Sequence, residues 1–144
     1  MQARSQAERF LSITLKTSER TFQALAWEAN ARVSMAELDW ASAQDHIAKA
    51  LSMIESYEVP LAAWRVHATA AQLNERAGRA DLALRSREVS RATVLKLANS
   101  LPPDEPLRGI FLSATKLREI VGDLEASGSS AKRAGAASIA QSFP

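Results

Sequence analysis

Across the first 113 residues, apolar side chains return every three to four positions, the period of a helix with one covered face. Ala3, Ala7, Phe10, Leu11 and Thr14 share one stripe, which predicts a first helix over 3–16. Thr17-Ser18-Glu19-Arg20 interrupts it, and Thr17 or Ser18 is placed to cap a second helix over 20–37. Asp39 is the expected cap of a third helix, which aligns Ala43, Ile47, Ala50, Leu51 and Ile54. After the connector 56–60, a fourth helix starts at Pro60, whose missing N–H costs nothing in a first turn. It runs to Ala77 and stops at Gly78, a residue free to take the left-handed cap conformation. A fifth helix spans about Ala80 to Asn99, through Ala83, Ser90, Val94 and Leu97. Leu101-Pro102-Pro103 ends it, and Asp104 with Pro106 opens a shorter sixth helix carrying Leu107, Ile110, Phe111 and Leu112. Beyond it, glycine and serine accumulate with few large apolar residues. The expected layout is a helical domain over 1–121 and a flexible tail over 122–144.

The fourth helix is the most informative. Arg65, Thr69, Gln72 and Arg76 form one narrow polar stripe at i, i+4, i+7 and i+11. Around the rest lie Leu61, Ala62, Ala63, Trp64, Val66, Ala68, Ala70, Ala71 and Leu73. A helix apolar on nearly every side must be covered on more than one, as when it is clasped between its hairpin partner and the next hairpin of a stack.

Composition sharpens this into a fold class. Of 144 residues, 47% are hydrophobic and 28 are alanine, whereas Val, Ile and Thr together number 18. That balance favours an all-α chain, because alanine loses no side-chain entropy in a helix and strands draw on branched or aromatic residues. The absence of cysteine excludes disulfides, cysteine-based zinc sites and thiol nucleophiles. Net charge is +2, but residues 65–100 carry seven basic and three acidic groups. That excess suits an acidic partner, yet it forms no dense basic run. The stretch Phe10–Leu15 is too short and too interrupted for a secretion signal, and no apolar run approaches a membrane span, so the expected setting is cytoplasmic.

Offsetting the second and third helices by 40 residues lays them on the fourth and fifth. Ala31 falls on Ala71, Leu38 on Gly78, Ala43 on Ala83 and Ala50 on Ser90. Small side chains there let helix backbones approach closely. The chain here resembles the tetratricopeptide repeat family. The first repeat has Trp27 at the aromatic position of its first helix and Ala31 at the small position, followed by Ala43, Ile47 and Ala50. The second has Ala71, Gly78, Ala83 and Ser90. It departs in placing His67 where the aromatic is expected, Asn74 where tyrosine is usual and Leu38 for the turn glycine, and its period exceeds the usual ~34 residues. The ordered motifs Leu38-Asp39-Trp40, residues 60–68, Ser100-Leu101-Pro102-Pro103, Leu107-Arg108 and Phe111-Leu112 are similar to the C-terminal repeat arrays of large bacterial signalling proteins. Those proteins join such arrays to AAA-type ATPase, cyclase or transcription-regulating domains.

The resemblance implies stacked antiparallel hairpins, an α-solenoid fragment of about two and a half repeats with a C-terminal capping helix. It also implies a concave groove, lined by Glu28, Arg32 and Met35 in the first repeat and by Arg65, Gln72, Glu75 and Arg76 in the second. The occupant would be a partner peptide or a neighbouring domain of a parent chain. The helix 3–16 would be the second of a repeat whose first helix is missing, leaving Phe10, Leu11, Ile13 and Leu15 partly unprotected. Were Met1 a true start, self-association or marginal stability would follow.

Little points to catalysis. His46 and His67 show no local metal-ligand spacing, no phosphate-binding or nucleophile motif occurs, and Glu37/Asp39 and Asp104/Glu105 sit where helix ends explain them. The expectation is a protein without enzymatic activity, cofactor or metal, and off the membrane. Nucleic-acid binding through Arg79, Arg85, Arg87, Arg91 and Lys96 is a weaker alternative, because no interleaved aromatics or helix-turn-helix pattern support base readout. A self-associating adaptor is another.

Overall fold

The computed structural model describes residues 2–113, which form six helices: α1 (Gln2–Thr14), α2 (Arg20–Ala36), α3 (Trp40–Ser56), α4 (Pro60–Arg76), α5 (Ala80–Asn99) and α6 (Pro106–Ser113). Among the described residues there is no strand. The expected tail and the remainder of the capping segment, 116–121, lie outside them. Contacts divide the chain after Ser100 into two compact units, the first holding α1–α5 and the second α6.

Helix ends follow the sequence closely, with one correction. Asp39 caps α3, its carboxylate accepting from the Ser42 N–H at 3.1 Å, and Pro60 opens α4. Neither Thr17 nor Ser18 caps α2. The flanking residue is Glu19, which makes no side-chain cap, while the Thr17 hydroxyl donates to the Thr14 carbonyl at 2.8 Å. Thr17 thus completes the end of α1, whose last carbonyls need partners, before α2 begins.

Both hairpin turns use the same device. Leu38 and Gly78 hold φ of 61° and 74°. The next N–H in each turn reaches back five residues: Asp39 to Ser34 O at 2.9 Å and Arg79 to Asn74 O at 2.8 Å. This closes the helix carbonyls at the left-handed residue. Leucine meets a steric penalty there of about 1 kcal/mol that glycine avoids, and its side chain is 68% exposed. Leu38→Gly is therefore expected to raise stability by about 1 kcal/mol and Gly78→Ala to lower it by a similar amount. Urea denaturation checks both; a destabilised Leu38→Gly protein would contradict the account.

In the first unit α2 packs mainly on α3 and α4 on α5, with α2 and α3 also touching α4 and α1 lying on α2. Short turns between packed neighbours make α2/α3 and α4/α5 antiparallel hairpins. The core between α2, α3 and α4 comprises Ala31, Ala43, Ile47, Ala50, Val66, Ala70 and Leu73, with Trp27, Met35, Leu51 and Ile54 packed against it. Alanines at the crossings bring the axes close and leave the larger residues to fill the flanks.

A hydrogen bond accompanies most of these junctions. Gln23 Nε2 donates to the Thr14 and Thr17 carbonyls, and Asn30 Nδ2 donates to Ala7 O at 2.9 Å, fastening α1 to α2. Ser34 Oγ and His46 Nδ1 share a hydrogen bond between α2 and α3. The Thr69 hydroxyl donates to Glu28 between α4 and α2, and the Ser90 hydroxyl donates to Trp64 O between α5 and α4. Burial without such partners would cost about 1–3 kcal/mol for each group.

Candidate binding surface

The seven sequence-predicted groove residues divide by environment. Arg32, Arg65, Gln72, Glu75 and Arg76 are exposed, Met35 is half-buried against the core, and Glu28 is 1% exposed. Glu28 is the correction: being buried, it is not a groove contact. Its Oε1 accepts from Thr69 Oγ1 at 2.6 Å and lies 2.8 Å from Arg32 Nε. Carboxylates take several donors well, so one buried side chain here links two helices and orients an arginine at the surface.

That link sets the geometry of the surface. Thr69 lies four residues after Arg65 and three before Gln72, on one face of α4. By joining Thr69, Glu28 ties Arg32 of α2 to the face of α4 that carries Arg65, Gln72 and Arg76. Leu61, four residues before Arg65, extends the stripe with an exposed apolar side chain, whereas the helical pattern places it among the covered residues. The guanidinium of Arg65 lies over the Trp64 ring, 5.0 Å from its centroid, which holds an otherwise flexible charge. Glu75 is turned aside, ion-paired with Arg87 of α5. With Arg32 paired to the buried Glu28 and Glu75 paired to Arg87, the remaining charges of the strip are Arg65 and Arg76. All three carboxylate and methionine positions expected in the groove, Glu28, Glu75 and Met35, thus do other work, and a basic strip remains.

The histidines and tryptophans differ in their surroundings. His46 lies tilted beside Trp27, ring centroids 5.8 Å apart, and Lys49 Nζ lies over the Trp27 ring, 4.7 Å from its centroid, and is ion-paired with Asp45. Trp64 is buried, whereas Trp40 is partly exposed. His67 is half-buried on α4, and burial pushes its imidazole below the ordinary range, only partly opposed by Glu55. The unfolded chain therefore binds the proton more readily. The stability this histidine gives is present above its unfolded pKa and is lost as pH falls through that value towards the folded one. Melting temperature should drop between pH 7.5 and 5.5, and His67→Phe should flatten that part of the slope. An unchanged slope in the variant would assign the acid sensitivity to other groups.

Among the described residues, no group of three or more His, Cys, Asp or Glu side chains is placed to hold a metal, and no helix is long and apolar enough to cross a membrane. Comparison with known protein families, with curated proteins and with solved structures finds no match to this chain.

Proposed function

We propose that this chain is a non-catalytic protein-interaction module built of tetratricopeptide-like hairpins, and that its basic strip holds an acidic peptide segment of a partner or of a parent signalling protein. The supporting observation is the buried Glu28–Thr69 link, which ties Arg32 of α2 through Glu28 to the face of α4 that carries Arg65, Gln72 and Arg76. The offset of 40 residues between the hairpins and their matching turns at Leu38 and Gly78 support the repeat reading. Nucleic-acid binding by α5 is less favoured. Arg87 is engaged by Glu75 and Arg91 is half-buried, while Arg85 lies two residues from Arg87 and so on another face.

A fluorescein-labelled glutamate-rich peptide tests the reading by anisotropy. The protein should bind it with an affinity that falls with salt, and Arg65→Glu/Arg76→Glu should weaken binding by about tenfold or more, since like charges are then opposed. Binding of random duplex DNA that this variant leaves intact, with no binding of the peptide, would overturn the assignment in favour of α5.

A further inference from the structure

Tyr57 is the sole tyrosine of the chain and stands in the connector 57–59 between α3 and α4. Its N–H donates to Met53 O at 3.1 Å and closes α3. From there the backbone is extended, with φ −135° and ψ 139° at Tyr57 itself. Glu55, Ser56, Tyr57 and Glu58 are all exposed, the tyrosine by 42%. A ring of this size usually gains by burial. This one lies instead under a cation from another element: the guanidinium carbon of Arg20, the first residue of α2, is 4.5 Å from its centroid. Arg20 Nη1 donates to Gln23 Oε1 at 3.0 Å, which leaves further donors of the same group to spare.

These features match the needs of a phosphoryl acceptor. A kinase must draw the accepting hydroxyl into its own cleft, in line with the phosphate to be transferred, and a covered side chain or one wound into a helix resists this. Tyr57 is exposed and its backbone is already extended. The neighbouring Ser56 is the last residue of α3, and its hydroxyl is spent on Ser52 O at 2.9 Å. Glu55 and Glu58 set acidic side chains on both sides of the tyrosine, which suits a basic substrate channel. Once attached, a phosphate brings a charge of about −1.5 to −2 and strong acceptor oxygens. Two glutamates alone would oppose that charge, and Arg20 answers it. Its guanidinium has only to slide from the ring face towards the hydroxyl edge to meet the phosphate with paired donors. Pro60 opens α4 without a side-chain cap, so the positive end of that helix adjoins the same connector.

We propose that Tyr57 is a phosphorylation site whose phosphate is received by Arg20. In the step, Tyr57 Oη attacks the γ-phosphorus of a nucleoside triphosphate held by a protein kinase. The new O–P bond forms as the bond to the β-phosphate oxygen breaks, the nucleoside diphosphate leaves, and the hydroxyl proton passes to the base of the kinase. The phosphate then ties the α3–α4 connector to the start of α2 by an ion pair, where the unmodified chain has only the ring contact. This inference uses none of the residues of the acidic-peptide strip and stands or falls separately.

The test treats the full chain, and separately a peptide of residues 50–64, with ATP and the catalytic domain of a tyrosine kinase that prefers acidic substrates. Intact mass should show one phosphoryl group on the folded chain, at a rate comparable to that of the peptide, and its complete loss in Tyr57→Phe. Modification of the peptide but not of the chain would overturn the proposal, because the folded connector is then closed to the enzyme. Modification of neither would overturn it as well, since the acidic flanks then direct no kinase. On the phosphorylated chain the ³¹P resonance should be displaced from that of the phosphorylated peptide. Arg20→Met should return it to the position in the peptide, whereas Arg20→Lys, which keeps the charge, should retain part of the displacement. Circular dichroism checks that both variants are folded. A resonance that Arg20→Met leaves in place would overturn the role of Arg20.

Discussion

Ala31→Phe is expected to lower the stability of the first unit by about 3 kcal/mol, the upper end of what overpacking a well-filled core costs. Ala31 is completely buried and belongs to the cluster shared by α2, α3 and α4. Three helices meet around its methyl group, so a ring has no flank into which to turn, and relief requires a helix axis to move away. Moving it would strip contact from Ala43, Ala50 and Val66 together, because these too are fully covered. An equal change at the exposed Ala41 meets only solvent and should shift stability by less than about 0.5 kcal/mol. Denaturant titration of the pair decides the point. Equal midpoints would mean that the hairpin contacts are loose and that the alanines carry no packing role.

Loss of the Glu28 carboxylate is the second large effect. Glu28→Ala removes the acceptor of the buried Thr69 hydroxyl, opens a cavity and releases Arg32, for a combined cost of about 2–3 kcal/mol. Glu28→Gln keeps an oxygen acceptor and should cost roughly 1 kcal/mol, the difference between a charge-assisted and a neutral bond. The informative variant is Glu28→Met/Thr69→Val. Replacing both partners by apolar groups of similar size leaves no orphan, so the double variant should be more stable than either single one. It should nevertheless bind the acidic peptide less well, because Arg32 is no longer held against α4. Additive losses in this cycle would show that the two side chains do not act as a unit.

Helix positions were legible because each has a strong local cause. The apolar stripes give the period, Asp39 and Pro60 mark starts, and the turns at 37–39 and 77–79 mark stops. Leu38 was legible as the residue standing in for a turn glycine, and its positive φ follows from the turn rather than from its own preference. What stayed hidden depends on partners distant in sequence. An i, i+4 Glu28–Arg32 pair reads as a surface feature on any helix, and only the approach of α4 turns it into a buried link. Thr69 likewise reads as one more polar member of the α4 stripe, although it is the member that is covered. Thr17 carried a capping signal that either neighbouring helix was able to use, and local sequence does not say which. The strip was therefore visible in part: Arg65, Gln72 and Arg76 from spacing alone, and the tie of Arg32 to their face only from the tertiary contact.

The fastening of α1 has an implication for how freely its sequence can change. Gln23 and Asn30 grip carbonyl oxygens of α1, groups that every residue type supplies, and beyond these Ala7 and Thr14 are the buried side chains of that helix. The address for α1 is written largely on α2. Substitutions along the outer positions of α1 can accumulate while the helix keeps its place, so this segment is free to diversify a surface at little cost to the scaffold, whereas Gln23 and Asn30 are not.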